Sequence, residues 1–194
     1  MKINEFLDFL KFAQKFRSTK RAIYSVGDDR MENDVEHCYQ LAIMVWYVIE
    51  KEQLKLDTNL AIKYALIHDL EEAFNGDIDI FDTEKRKVKE QNEIKAMKKI
   101  IRLFPSWTSY KKLSLAYKAQ KDEESRLVNG IDKILPVLNI YLDNGRTWNL
   151  EGRTLNEIAQ NKREKTKVHP FSSRLWKEVE RTLVKNKSKL FKKK

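Results

Sequence analysis

Apolar residues recur at three- and four-residue intervals along almost the whole chain, the signature of amphipathic helices. Residues 3–17 set Ile3, Phe6, Leu7, Leu10 and Ala13 on one stripe. A polar stretch over about 18–33 follows, with Gly27-Asp28-Asp29 inside it. Asn33, with Glu36 three residues on, predicts a helix start with reciprocal capping. The helix from there to about Glu52 turns Cys38, Leu41, Ala42, Val45, Val48 and Ile49 inward. Asp57 or Thr58 caps the next helix, which the pattern carries as far as Asn75-Gly76. Further helices are expected over 83–104 (stopped by Pro105), from Asp122 to about Asn144-Gly145, and over about 153–165 and 171–187. Residues 105–121 read as a loop and a short helix, and no repeat or strand pair stands out. The expectation is an all-α, single-domain helical bundle.

Composition narrows this further. With 5 Gly and 3 Pro in 194 residues, a loop-rich β protein is excluded. A chain of this length buries roughly 70% of its unfolded surface and needs no disulfide or structural metal to fold. The single cysteine, Cys38, excludes an intramolecular disulfide or a Cys-rich zinc module. No apolar run approaches the ~20 residues of a membrane span. The opening MKINEFLDFLKF carries Glu5 and Asp8 and does not read as a signal peptide. The expected setting is cytoplasmic and reducing, without membrane contact. The net charge of +10 is local: residues 161–194 hold 13 Lys+Arg against 3 Asp+Glu, and the first 160 residues hold 26 of each sign. This predicts a folded domain over 1–184 and a solvated basic tail over 185–194, with a weak contact to nucleic acid or an acidic partner as the tail's functional alternative.

Three places do not suit a plain helical core. His37 shares a face with Leu41, Met44 and Val48; His68 and Asp69 end the nearly apolar AIKYALIHDL; Asp132 sits among Ile131, Ile134 and Leu135. Buried Asp is rare unless paired or bound to a metal. Taken singly, each is more often a hydrogen-bonded core residue or a cap. Together, three separate helices each offer an inward metal-capable group, and two of only 3 His take part. His169, before Pro170, reads as a loop residue. Gly130 in mid-helix costs about 1 kcal/mol relative to Ala, which close approach of another helix near Asp132 would explain. The four Trp read as core or interface residues, and neither a glycine-rich phosphate loop nor a Ser-His-Asp arrangement is present.

The order His37, His68-Asp69, Asp132 resembles the HD-domain metal-dependent phosphohydrolases. The local strings ENDVEH (32–37), HDLEEAFNGDI (68–78) and EESRLVNGIDK (123–133) are most similar to the bacterial 5′-deoxynucleotidases among them and to their eukaryotic relatives. The resemblance covers roughly residues 3–145 and implies an all-α fold, a homodimer, and hydrolysis of deoxynucleoside 5′-monophosphates with His37, His68, Asp69 and Asp132 as metal ligands. The chain also departs from the family. Asp34-Val35 replaces an apolar-then-small pair, Ile78-Asp79-Ile80 lacks a Pro usual there, and the phosphate-binding Arg, followed in relatives by an aromatic, has Arg21 before Ala22 as its nearest match, with Arg30 nearby.

Phosphomonoester hydrolysis is extremely slow uncatalysed, and a divalent metal polarises the phosphoryl oxygen and acidifies its water. Two imidazoles and two carboxylates without a thiolate suit Mn, Co, Fe, Ni or Zn, with Mg less favoured. Glu72, four residues after His68 and so expected one helical turn on, is assigned to orienting or deprotonating the attacking water. Glu71 reads as a plain surface charge, Glu36 as a helix-start partner, and Asp77 either as a contact to the leaving 5′ oxygen or sugar or as a turn cap. The competing readings are another HD-type nucleotide phosphohydrolase or phosphodiesterase, and a non-catalytic helical module that binds nucleic acid through its basic end.

Overall fold

Local capping explains most of the helix starts. A computed structural model describes residues 2–77 and 87–191. After α1 (Ile3–Arg17) come the strands β1 (Lys20–Tyr24) and β2 (Met31–Asn33), then α2 (Asp34–Lys51), α3 (Thr58–Ile67) and α4 (Glu72–Asn75). Beyond the undescribed residues 78–86 lie α5 (Lys89–Leu103), α6 (Thr108–Ala119), α7 (Glu123–Leu142), α8 (Arg146–Glu151), α9 (Leu155–Arg163), α10 (Pro170–Lys185) and α11 (Lys187–Leu190). At the start of α2 the Asn33 side chain accepts from the Glu36 amide at 3.1 Å while Glu36 accepts from the Asn33 amide, as the capping pattern predicts. Asp57 and Asp122 cap α3 and α7 by accepting from Leu60 and Ser125 amides.

The core forms around α2, α3 and α7, where Leu41, Val45, Ala61, Tyr64, Leu127, Val128 and Ile131 meet Tyr117 of α6. A second cluster joins the C-terminal half of α7 to α8–α11, and a third joins α1 to α4–α6. The functional residues lie where α2, α3 and α7 converge. The all-α expectation holds, with one small addition. β1 and β2 pair antiparallel, Lys20 opposite Asn33 and Tyr24 opposite Met31, with an irregular register between. This hairpin occupies the polar stretch 18–33, where the pattern showed no strand pair. Arg146 clamps its turn, bonding Asp29 and the Ser25 and Asp28 carbonyls.

Other differences have physical causes. The helix expected to run from 58 to 75 breaks after Ile67, where Leu70, Glu72 and Ala73 amides bond three residues back and tighten the chain around His68 and Asp69. Its expected stop is present: Gly76 adopts φ +72°, a conformation open to glycine. The region 105–121 contains the 12-residue α6, more helix than its composition suggested. Of the helix expected over 83–104, Lys89–Leu103 is described. The α1 stripe of Ile3, Phe6, Leu7 and Leu10 faces outward, and the helix docks instead through Phe12 and Phe16. The expected frayed end is packed as far as Phe191: Leu190 is buried, and Phe191 stacks on Trp148 at 5.0 Å. Trp148 and Trp176 are core residues, Trp107 stacks on Tyr110, and Trp46 is exposed. Among the described residues no helix is long and apolar enough to cross a membrane.

Candidate metal centre

Three helices deliver the predicted metal-capable side chains to one point. His37 comes from the first turn of α2, His68 and Asp69 from the tight turn ending α3, and Asp132 from mid-α7. Ligand atoms of His37, His68 and Asp69 all lie within 4.8 Å of one another. Asp132 Oδ1 stands 2.9 Å from His37 Nε2 and 3.6 Å from His68 Nε2, and Asp69 Oδ2 is 2.9 Å from His68 Nε2. Both His are buried, as is Asp132.

The second nitrogen fixes the tautomer of His68 only. His68 Nδ1 lies 2.9 Å from the Ala65 carbonyl, so it carries the proton and leaves the Nε2 lone pair directed at Asp69 and Asp132. His37 Nδ1 is buried without a hydrogen-bond partner, the nearest carboxylate oxygen, Glu32 Oε1, lying 3.7 Å away, while Nε2 meets Asp132 Oδ1 at 2.9 Å. His68 Nε2 is buried and, although close to Asp69 and Asp132, is aligned with neither carboxylate as a hydrogen bond. A buried imidazole nitrogen facing two carboxylates is the environment a dication satisfies, and the outer nitrogen of His68 is held as a metal-binding His requires. The four residues therefore fit a divalent ion.

The surrounding charges are arranged unevenly. Burial and the Arg21 guanidinium hold His37 below the usual imidazole range, in its neutral, ligating form. Burial would lower His68 too, but the Asp69 carboxylate outweighs it and holds the imidazole well above its ordinary range, so that without an ion Nε2 binds a proton where a dication would otherwise take its lone pair. Burial pushes Asp69 upward, and His68 overrides this to hold it low. Asp132 is likewise held low against burial, first by Lys133, whose ammonium lies 2.5 Å from Oδ2.

Arg21 reaches the centre from β1. Its guanidinium lies 3.2 Å from Glu32, 3.4 Å from Asp34 and 3.4 Å from Asp69, whereas Arg30 is exposed and pairs with Glu36 and Asp28. Of the two candidate arginines, the hairpin thus brings Arg21 to the site. Glu72 is buried, not solvated. Burial and the neighbouring Asp69 and Asp77 raise its carboxyl well above the usual range, partly offset by Lys89 at 3.4 Å. Because α3 ends at Ile67, Glu72 arrives here through the turn and not along a continuous helix face. Asp77 accepts from the Ala22 amide at 3.3 Å, tying the end of α4 to β1, and shares a cleft with Glu72, Lys15 and Lys20. The Ile78-Asp79-Ile80 departure lies outside the described residues.

Two smaller expectations change and a third holds. Glu71 is not a surface charge: it is buried and accepts from the hydroxyls of Tyr110 at 3.0 Å and Ser114 at 2.8 Å. His169 is a cap, its Nδ1 accepting from the Phe171 amide at the start of α10. Gly130 does meet a neighbouring helix, since a Cβ there would lie 2.2 Å from Ser172 Oγ. Four residues near the centre carry no clear mark in the sequence pattern: Glu32, Asp34, Lys133 and Lys162. Asp34 is fully buried, and burial, then Asp69, pushes its carboxyl up to about 7. The charge-dense run 32–37 ahead of an apolar helix is the one signal for the two acids. For Lys162 it is its place on the Ile158-Ala159 stripe.

Comparison with known proteins decides the family. The model of the HD domain matches residues 13–176. The chain belongs to the HD domain family. Over 135 residues it is 28% identical to human 5′-deoxynucleotidase HDDC2, an alignment covering 68% of this chain and 65% of the human protein. It is 31% identical over 134 residues to yeast (Saccharomyces cerevisiae) 5′-deoxynucleotidase YGK1, covering 66% of this chain and 61% of that one. The chain thus spans slightly less than two thirds of these curated relatives. A structure from Magnetospirillum magnetotacticum MS-1, described as a predicted metal-dependent phosphohydrolase, superposes with a TM-score of 0.78 at 22% identity, covering 94% of this chain and 97% of that one. PH0347 from Pyrococcus horikoshii OT3 gives 0.64 at 24% identity, covering 93% and 99%. At these identities the structural likeness speaks for the fold.

Proposed function

We propose that this HD-domain chain is a metal-dependent phosphohydrolase that converts deoxynucleoside 5′-monophosphates to deoxynucleoside and phosphate. The observation that carries the reading is the convergence of His37, His68, Asp69 and Asp132, with the buried His68 Nε2 aligned with neither carboxylate among them. The kinship with 5′-deoxynucleotidases supports the substrate class.

His37 Nε2, His68 Nε2, Asp69 and Asp132 would hold one divalent transition metal, Mn, Co, Fe, Ni or Zn in preference to Mg. When bound, such an ion supplies Lewis acidity toward the phosphoryl group and acidifies a water. The remaining work falls to the chain itself. Arg21, fixed by Glu32 and Asp34, neutralises charge on the phosphoryl oxygens. Glu72 has a carboxyl of high proton affinity, so it takes the proton of the attacking water. Asp77, held on the Ala22 amide, faces the leaving 5′ oxygen or the sugar. Closed on three sides by α2, α3 and α7, the centre limits competing water.

The same reading makes the enzyme a cytoplasmic homodimer. Supporting a second copy, Val35, Tyr39, Ile43, Trp46 and Tyr47 form an exposed apolar stripe along α2, which a two-fold contact would bury against itself. The activity test is phosphate release from a panel of deoxy- and ribonucleoside mono-, di- and triphosphates and cyclic nucleotides, with Mn or Co added back to chelator-treated protein. Metal-dependent release from the deoxynucleoside monophosphates is expected. Turnover of cyclic nucleotides or triphosphates in their place would assign a different HD chemistry, and full turnover without metal would remove the mechanism.

A further inference from the structure

Glu72 is carried by a helix that cannot hold its own direction. α4 has four residues, and no side chain caps its start. A helix of that length is unstable by itself in water, so the aim of the Glu72 carboxylate must be set from outside it. The partner comes from α5. The Lys89 ammonium donates to Glu72 Oε1 at 3.4 Å and lies 3.6 Å from Glu93 Oε1, one turn further along the same helix. Lys118 of α6 holds Glu93 Oε2 at 2.9 Å from the other side, and lies 3.6 Å from Glu71, whose main partners are the Tyr110 and Ser114 hydroxyls. Carboxylate and ammonium thus alternate from α4 through α5 to α6.

The two oxygens of Glu72 are treated differently. Oε1 meets the Lys89 ammonium, whereas Oε2 is buried and has no hydrogen-bond partner among the described residues. One anchored oxygen fixes the carboxylate, and the open one is left to receive a proton, the arrangement a positioned base needs. Glu72, Lys89 and Glu93 also line a cavity of about 10 Å³ between α4 and α5, together with Asn75 and Asn92. That is room for about one water and none for a phosphate, so in this gap Lys89 acts on Glu72 and not on substrate. The side chains of Lys89 and Glu93 are 27% and 26% exposed, and ion pairs reached by solvent add little to stability. Loss of the contact should therefore show in the aim of Glu72 more than in folding.

We propose that Lys89, itself held by Glu93 and through it by Lys118, is a positioning residue for Glu72: it fixes Oε1 and so leaves Oε2 for the proton of the attacking water. The proposal rests on the phosphohydrolase reading, in which Glu72 is the base, and adds the contact that orients that base.

The test compares full-length, metal-loaded wild type with K89M, K89Q, K89R, E72Q and E72Q/K89M, by initial rates on a deoxynucleoside monophosphate and by crystal structures of wild type and K89M. K89M and K89Q should lose about 10–100-fold in kcat, the scale of a misplaced reacting group, with KM within about threefold and metal content unchanged. K89R keeps a cation at this place and should recover most of the loss. On top of E72Q, K89M should cost less than about a further twofold, because the group it orients is already gone. In K89M crystals the Glu72 carboxylate should have left its wild-type position. A K89M with kcat within about twofold of wild type overturns the proposal, as does a loss that multiplies that of E72Q. A K89R as impaired as K89M, or a loss confined to KM, overturns it as well. If the wild type hydrolyses no nucleotide, or E72Q is as fast as wild type, the functional reading fails, and the K89M crystals decide the contact by themselves: a displaced Glu72 keeps Lys89 as its anchor, and an unmoved one removes that too.

Discussion

Replacing Gly130 by Ala tests the architecture that places Asp132. A Cβ built at Gly130 lies 2.2 Å from Ser172 Oγ and 2.4 Å from Ser172 Cβ, with Val168 at 3.6 Å. Ordinary carbon contacts are 3.5–4.0 Å, so the shortfall is more than about 1 Å. Rotating the serine does not relieve it, because Ser172 Cβ is itself too close. The α7–α10 contact must open, which also strains the Ser172 hydrogen bond to Thr166. Overpacking of this kind costs about 1–3 kcal/mol, and the gain in helix propensity from Gly to Ala returns about 1 kcal/mol. The overlap with Ser172 Cβ, which cannot rotate away, puts the cost in the upper part of that range, about 2–3 kcal/mol, so a loss of about 1–2 kcal/mol remains, or a melting temperature lower by about 2–8 °C for a chain of this size. Thermal unfolding with fixed metal content is the assay. The double variant G130A/S172G should be more stable than the sum of its single changes, since removing Ser172 Cβ makes room for the alanine. A G130A protein as stable as the wild type or more so, with effects additive to S172G, would refute close helix approach as the reason for this glycine.

Other outcomes follow from the same geometry. E72Q should lower kcat by about 10²–10⁴-fold with metal content unchanged, read from initial rates on a deoxynucleoside monophosphate. R21A should raise KM and also destabilise the fold by about 3–5 kcal/mol in denaturant titrations, because Glu32 and Asp34 are left buried without their cation. E71A should destabilise by about 1–3 kcal/mol through the stranded Tyr110 and Ser114 hydroxyls and leave kcat/KM within a few-fold. Lys162 gives a pH signature. Its folded pKa of about 7 lies below its ordinary 10.5, so the unfolded chain binds the extra proton between those values and the wild type loses stability as pH falls from 10.5 to 7. The stability difference between K162M and the wild type, measured without phosphate, should therefore be full below pH 7 and shrink toward pH 10.5; a pH-independent difference would contradict a buried, depressed ammonium.

Features encoded over a few neighbouring residues are legible in the sequence alone. Caps such as Asn33-Glu36 and Asp57 act locally, and the inner face of α2 follows from its own periodicity, so both agree with the fold. His37, His68, Asp69 and Asp132 stand out because polar groups break an apolar face. What depends on distant partners does not show. Glu71 is buried by Tyr110 and Ser114, some forty residues further on. The break after Ile67 carries no glycine or proline and arises from tertiary packing. The β1–β2 hairpin combines strands of five and three residues, too short for an alternating pattern to register. The α1 stripe misleads because amphipathicity identifies an apolar face without identifying what, if anything, covers it.

The central claim is that His37, His68, Asp69 and Asp132 share one ion, and metal stoichiometry tests it most directly. Elemental analysis of purified wild type and of H37A, H68A, D69A and D132A, each checked for helical content by circular dichroism, should show one transition-metal ion per wild-type chain and its loss in every variant that remains folded. A folded D132A or H37A that keeps a full complement of metal at wild-type affinity would contradict the account.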